Sequence, residues 1–243
     1  MISTIIIAYN EEIYIQGILS ALNNQTTDNF EVIIVDSNSS DNTEDVSKEI
    51  ASDFKEFTYL KLDSARGPAY ARNRGAGAAK YERLIFFDAD TSIPSDFIER
   101  IEKEIKRKNL CVATCPARIL EGGSVASFGA LFLNTFMILL KPIYSSGYGA
   151  CLITTQEVHN LVGGFNEEIE LCEDCNYIKK ARKTHQFKYG ILSTHFYTSD
   201  RRAKSEGRLK FFLKYIKIHL YRMFTGKEIL KGKIVYKYGN FDC

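Results

Sequence analysis

Four times between Ile2 and Lys108 a short apolar run gives way to a segment with helical spacing. The runs cover residues 2–8, 31–36, 57–62 and 84–88; the helical segments begin near 11 and 42 and then cover 68–80 and 96–108. Short apolar runs bounded by polar turns read as parallel strands buried on both faces. Strands separated by helices leave few architectures, and the one expected is an α/β fold: a mostly parallel sheet with helices on both faces. With 243 residues, 45% of them hydrophobic, the chain can bury one large core. Neither a Pro/Gly-rich linker nor an internal repeat divides it.

The fourth run carries the most informative residues. Arg83-Leu-Ile-Phe-Phe-Asp-Ala-Asp-Thr91 ends an apolar strand in two carboxylates, Asp88 and Asp90. Ligands of open α/β sheets gather beyond the carboxyl ends of the strands. Two hard oxygen donors there can share a divalent cation that completes its shell with water and substrate phosphates. The competing reading is a turn whose carboxylates cap a helix starting near Pro94 and Ser95.

Beyond residue 108, strands are expected at 110–120, 148–154 and 187–194, with helices at 156–161 and 173–183 and a basic loop at 199–204 before a terminal helix. Residues 122–140 carry no charge, and their length brushes the lower limit for a membrane span. A span would put Asp88 and Asp90 on the opposite side of a bilayer from the acidic pair Glu173 and Asp174. A buried helix, or one lying in the membrane interface, is therefore expected.

The net charge of +2 is unevenly spread. From Arg201 to Cys243 there are twelve Lys/Arg against three acids, about +9, leaving about −7 for the rest. Within this tail Leu209, Phe212, Leu213, Ile216, Leu220, Met223 and Phe224 recur at helical spacing, with Lys210, Lys214 and Lys217 largely off the stripe. Such a helix either packs on the body of the protein or lies on an anionic membrane surface. No nucleic-acid reader module is present in the sequence, and nucleic acid is not an expected partner. Two units are expected, a catalytic domain over 1–200 and a basic amphipathic appendage over 201–243.

The six cysteines are Cys111, Cys115, Cys151, Cys172, Cys175 and Cys243. The apolar start has no basic segment before it and meets Glu11 and Glu12 at once, unlike a secretory leader. Free thiols and a cytoplasmic location, peripheral on the inner face of the membrane if the tail binds there, are expected. Cys172-Glu-Asp-Cys175, with Cys111 and Cys115 as a second pair, invites a zinc reading; packed thiols in an apolar core are the alternative.

Six segments, taken in order, carry a family resemblance: Ile5-Ile-Ile-Ala-Tyr-Asn-Glu-Glu12, Val35-Asp-Ser-Asn-Ser-Ser-Asp-Asn-Thr43, Ala71-Arg-Asn-Arg-Gly75, Phe87-Asp-Ala-Asp90, Gly163-Gly-Phe-Asn166 and Glu173-Asp174. Together they resemble the family 2 glycosyltransferases, which have the GT-A fold and use nucleotide-sugar donors. The resemblance implies that Ala8, Tyr9, Glu11 and Asp36 hold the base and ribose, although Ser37 stands where the family often has a second Asp. It implies that Arg66, Arg72 and Asn73 face the donor phosphates, a solvated helix face being the alternative for Arg72 and Arg74. Asp88 and Ala89 would meet the nucleotide, and Asp90 with Asp88 would bind Mn²⁺ or Mg²⁺.

By the same resemblance Asp174 is the catalytic base of an inverting transfer. Gly164, Glu173, His195, Arg201 and Arg202 are weaker candidates for acceptor or diphosphate contacts. Gly163 and Gly164 equally suit a helix C-cap after Leu161, and His195 equally suits a packed histidine. The implied partners are a UDP- or GDP-linked sugar and a hydroxyl acceptor that the apolar segments suggest is lipid-linked. A sugar nucleotidyltransferase would carry a glycine-rich phosphate loop where Ala8-Tyr-Asn-Glu11 stands. The remaining alternative is a non-catalytic, membrane-associated module that binds nucleotide sugars.

Overall fold

A computed structural model describes residues 1–121 and 123–232. Lys233, Lys237, Asp242 and Cys243 of the basic tail lie outside the described residues. The strands are β1 (Ile2–Ala8), β2 (Phe30–Asp36), β3 (Phe57–Lys61), β4 (Arg83–Asp88), β5 (Thr91–Ser92), β6 (Val112–Thr114), β7 (Ala117–Ile119), β8 (Cys151–Thr155), β9 (Ile169–Leu171), β10 (Tyr189–Ile191), β11 (Phe196–Thr198) and β12 (Ile229–Leu230). The helices are α1 (Ile15–Asn23), α2 (Thr43–Glu49), α3 (Pro68–Ala78), α4 (Phe97–Lys108), α5 (Gly123–Leu140), α6 (Gln156–Leu161), α7 (Glu173–Lys183), α8 (Arg201–Glu206) and α9 (Arg208–Thr225).

Seven strands form the main sheet in the order β10-β6-β8-β4-β1-β2-β3. All pairs are parallel except those of β8, which runs antiparallel to both β4 and β6. Alternation along the strands divides the core in two. Ile2, Ile6, Val32, Ile34, Ile85 and Phe87 join α1 and α4 on one face. Ile5, Ile33, Val35, Leu84 and Phe86 join α3, α6 and α7 on the other. The order reverses beside β1, so the ends of β1, β2 and β4 open the crevice where ligands of such sheets collect.

Several expectations are corrected. The run 110–120 is two strands, because Pro116, which cannot donate to a ladder, separates β6 in the main sheet from β7 in a second sheet with β5 and β11. The strand expected over 187–194 is limited to Tyr189–Ile191 and is not the last, since β11 follows. The basic loop at 199–204 contains the helix α8. Helix α4 begins at Phe97 with Asp96 before it, so neither Asp88 nor Asp90 caps it.

The apolar α5 is not a buried helix, for Met137 is its buried residue while Val125, Phe128, Leu131, Phe132, Ile138 and Leu139 are exposed. Its polar interruption docks it: Asn134 accepts from the Ala117 N–H and donates to the Ala117 carbonyl, pinning α5 to β7. Of the two readings of the α9 stripe, packing on the body holds only in part, through half-buried Phe212, Ile216 and Met223. Ile218 and Arg222 are the buried residues there, whereas Leu209, Leu213, Leu220 and Phe224 face outward. Phe212 meets Phe132 edge to face, so α9 leans on α5.

Gly75 of α3 tests how closely that helix packs on the sheet. A Cβ there would stand 2.3 Å from Ile5 Cγ2 and 3.0 Å from Val35 Cγ2, whereas one at Gly77 meets nothing within 4 Å. Gly75→Ala is expected to destabilise by roughly 1–3 kcal/mol, and Gly77→Ala to be neutral or stabilise by roughly 0.5–1 kcal/mol, both read from urea unfolding.

Candidate active site

The ends of β1 and β4, the start of α3, the loop before β8, the first turn of α7 and the start of α8 enclose a cavity of about 650 Å³. Ala8, Tyr9, Ser37, Arg72, Asp88, Asp90, Glu173, Asp174, Arg201 and Arg202 line its polar end. Its other end is apolar, walled by α5 through Ala126, Leu133 and Phe136 and by α9 through Phe212 and Tyr215.

Two buried guanidiniums organise the carboxylates. Arg72 donates through Nη1 to Glu173 Oε1 at 2.5 Å and through Nη2 to Asp88 Oδ1 at 2.8 Å. Burial works against its charge, and Asp88 and Glu173 outweigh that effect, so its pKa is raised. Glu173 is pushed up by burial and held back by Arg72. Arg72 is thus no solvated helix residue, whereas Arg74 is exposed. Both Arg72 end nitrogens are committed to carboxylates, so its charge is already shared within the cavity wall.

Arg201 donates through Nε to Asp90 Oδ2 at 3.1 Å and through Nη2 to Glu11 Oε1 at 2.5 Å, and its guanidinium lies over the Tyr14 ring. Burial raises the Asp90 pKa, with Arg201 opposing and Asp88 adding to the rise. Burial likewise pushes Glu11 up to about 7 against the pull of Arg201.

Asp174 lies on the same cavity wall. Its Oδ2 accepts the Gly149 N–H at 2.7 Å and its Oδ1 the Cys175 N–H at 2.6 Å. Sequence reasoning missed Gly149, although the Gly147-Tyr-Gly149 pattern before β8 was a readable signal. A Cβ at Gly149 would stand 2.6 Å from Arg72 Nη2, so one glycine both orients Asp174 and admits Arg72.

Other expected contacts fall outside the cavity lining. Asp36 spends its carboxylate on the Ser39 backbone and hydroxyl and on the Tyr59 hydroxyl, leaving Ser37 to face the cavity. Glu11 is turned into the Arg201 pair, and Ala89 is buried behind the two aspartates. Arg66 is exposed and lies over the Tyr70 ring. Gly163 and Gly164 are both left-handed and lie outside the cavity lining: their N–H groups close α6 on Asn160 and His159, and a Cβ on Gly164 would strike Asn73 Oδ1 at 2.6 Å. The C-cap reading holds there. Asn73 brackets the Phe165 backbone and Glu167 instead of facing phosphate. His195 points away because alternation along β11 sends Phe196 and Thr198 to the cavity; its Nε2 pairs with the Tyr197 hydroxyl.

The carboxylates fit a hard divalent cation. Asp88 and Asp90 offer oxygen donors on one edge of the cavity, and the buried charge of Asp90 is one that a cation relieves. The Asp90 oxygen that holds Arg201 is not available to a cation while that pair is made.

These features agree with what known proteins show. The model of glycosyl transferase family 2 matches residues 3–161, more than half the chain. The chain belongs to this family. It is 36% identical over 128 residues to the poly-beta-1,6-N-acetyl-D-glucosamine synthase of Staphylococcus epidermidis, covering 51% of this chain and 30% of that protein. To an uncharacterized glycosyltransferase of Haemophilus influenzae it is 28% identical over 197 residues, 77% of this chain and 64% of that one. The chain thus spans only part of the curated relatives it matches. Among solved structures, the mannosyltransferase PcManGT from Pyrobaculum calidifontis, in complex with GDP-Man and Mn²⁺, superposes with a TM-score of 0.70 at 20% identity, over 89% of this chain and 64% of that one. S. aureus TarS 1-349 in complex with UDP-GlcNAc gives 0.65 at 21% identity, over 82% and 58%. The fold is therefore of the GT-A type.

The raised Glu11 pKa has a readable consequence. Between about 4.5 and about 7 the unfolded chain releases a proton that the folded state keeps, so the stability contributed by Glu11 falls as pH rises through that window. Glu11→Gln removes the effect. Its stability relative to the unmodified protein, measured by unfolding at several pH values, should improve from pH 4.5 to 7 and level off above.

Proposed function

We propose that this protein is an inverting glycosyltransferase that moves a sugar from a UDP- or GDP-linked donor to a hydroxyl of a lipid-linked acceptor, with Mn²⁺ or Mg²⁺ bound by Asp90 and Asp88. One observation carries this reading: Asp174 lines the same cavity as Asp88 and Asp90 although they are far apart in the chain. A neighbour of the same fold is described with GDP-Man and Mn²⁺ and another with UDP-GlcNAc, which supports a nucleotide-sugar donor.

Each residue then has a task. Tyr9 supplies a ring face and Ser37 a hydroxyl toward the nucleoside, both on the cavity wall at the ends of β1 and β2. When bound, the divalent ion supplies positive charge for the diphosphate leaving group. Arg201 and Arg202, at the start of α8, add basic charge beside that group. Asp174, held by the Gly149 N–H, takes the proton of the acceptor hydroxyl as it attacks the anomeric carbon. Attack from the face opposite the diphosphate inverts that centre. Glu173, paired to Arg72, fixes the turn from which Asp174 projects.

Asp174→Asn should still show the thermal shift produced by UDP or GDP with Mn²⁺ while transfer, followed as diphosphate release, falls by roughly 10²-fold or more. Asp90→Ala should remove the metal-dependent part of the shift. Full turnover by Asp174→Asn would end the proposed role.

The apolar end of the cavity supports the lipid-linked acceptor and a peripheral membrane location. Its walls, α5 and α9, carry exposed Phe128, Leu131, Leu139, Leu213, Leu220 and Phe224, with exposed Lys210, Lys217 and Lys227 on the same appendage. Apolar side chains beside lysines suit the headgroup boundary of an anionic bilayer. In sedimentation with vesicles, binding should require anionic lipid, weaken with salt, and drop in Leu213→Ser/Phe224→Ser. Failure to sediment with any vesicle would remove the membrane from the proposal without touching donor chemistry.

A further inference from the structure

Next to Asp174 stands a second set of donors that glycosyl transfer does not use. Cys172, Cys175 and His219 place their two Sγ atoms and one ring nitrogen within 4.8 Å of one another. Cys172 lies at the corner before α7 with a left-handed backbone, φ 65°, and Cys175 lies in the first turn of that helix. His219 comes from α9, far along the chain. The two expected partners, Cys111 and Cys115, are not part of the group. Cys111 lies in the run leading into β6, and buried Cys115 is beside Cys151. The C-x₂-C of the sequence has instead met a histidine whose approach depends on how α9 folds back.

We propose that Cys172, Cys175 and His219 bind one Zn²⁺ ion, which staples α9 to the turn carrying Glu173 and Asp174. Two sulfurs and an imidazole select a borderline-soft cation over Mn²⁺ or Mg²⁺, which take oxygen. At Zn–S lengths of about 2.3 Å, tetrahedral donors stand roughly 3.8 Å apart, within reach of side-chain rotation from the present spacing. The charges also balance: two thiolates cancel the ion, and the nearby Arg222 is matched by Glu228 at 2.8 Å.

The surroundings are those of a metal-ligating histidine. His219 Nδ1 is 3.1 Å from the Tyr144 hydroxyl, and with Nδ1 as donor the Nε2 lone pair is left for the ion. The Tyr144 hydroxyl also accepts from Arg222 Nη1 at 2.8 Å, which fixes the tyrosine. Metal-bound histidines commonly hold their second nitrogen in this manner. Leu171, Ile218 and Ile229 pack with the two cysteines in one apolar cluster. All three donors also line the cavity, so a fourth position opens to solvent or acceptor.

The test uses the full chain purified under reducing conditions. Elemental analysis should find about one zinc per chain, and Co²⁺ added after chelation should give a thiolate-to-cobalt charge-transfer band with tetrahedral d–d absorption. Cys175→Ser and His219→Leu should lose both signals. His219→Cys keeps a donor and should retain them, which separates ligand loss from misfolding. Tyr144→Phe should weaken zinc on the order of tenfold, and Cys115→Ser should change nothing. Since none of these readouts is transfer, failure here leaves the proposed reaction standing, and failure there leaves the zinc site standing. Reduced protein without zinc and without a cobalt–thiolate band overturns the proposal, as does undiminished zinc in Cys172→Ser/Cys175→Ser or a Cys172–Cys175 disulfide in protein handled without oxidant.

Discussion

The guanidinium of Arg72 is the point on which the polar end of the cavity depends. Asp88 ends β4 and Glu173 begins α7, and without a cation between them a half-exposed carboxylate and a buried one would face each other at the cavity wall. Arg72 arrives from α3, packed on one face of β1 and β2, and ties three elements that share no local sequence. Breaking the buried Arg72–Glu173 pair typically costs about 3–5 kcal/mol, while the more exposed Asp88 arm is screened by water and contributes less. The more important effect is geometric. Fixing Glu173 fixes the first turn of α7, and the next residue is Asp174.

A second guanidinium repeats the device at the opposite edge. Arg201 gathers Glu11 from the loop after β1 and Asp90 from the turn after β4. Burial raises the pKa of both acids against the pull of Arg201, so their charged forms are costly there and a further cation would stabilise them. Cations are therefore attracted to the end of β4, and the acids there compete for whichever cation is present. Polar and basic residues are packed into the site by charge balance as much as by any ligand.

The sheet was legible because its evidence is local. Apolar runs such as Ile33 to Val35 alternate with segments of helical spacing, and Asp88 and Asp90 at the end of a strand and Asp174 at the start of a helix stand where the sequence pattern put them. What was not legible depends on distant contacts. Nothing near Arg72 in the chain says that Asp88 and Glu173 will bury it, and nothing near Asp36 says that Tyr59 and Ser39 will occupy both its oxygens. Gly164 was ambiguous because a left-handed glycine serves a cap and a ligand site equally well, and only the neighbouring Asn73 decides. The tail was legible only in part. Its periodicity identified an apolar stripe correctly, but the residues that dock α9, Ile218 and Arg222, lie beside that stripe and include a charge.

That displacement has a physical meaning. A helix that docks through Arg222, paired with Glu228 and bonded to Tyr144, and through Phe212 on Phe132, leaves much of its apolar stripe unused in docking. Helix α5 docks in the same manner, through Asn134 on the backbone of Ala117. Two long helices are thus held to the domain by polar anchors while their apolar side chains remain outside or turn into the cavity. Exposed apolar surface of this extent is costly for a protein surrounded only by water. The arrangement is economical if an apolar surface is brought to it, and the cavity then runs from the charged ends of β1 and β4 to that surface.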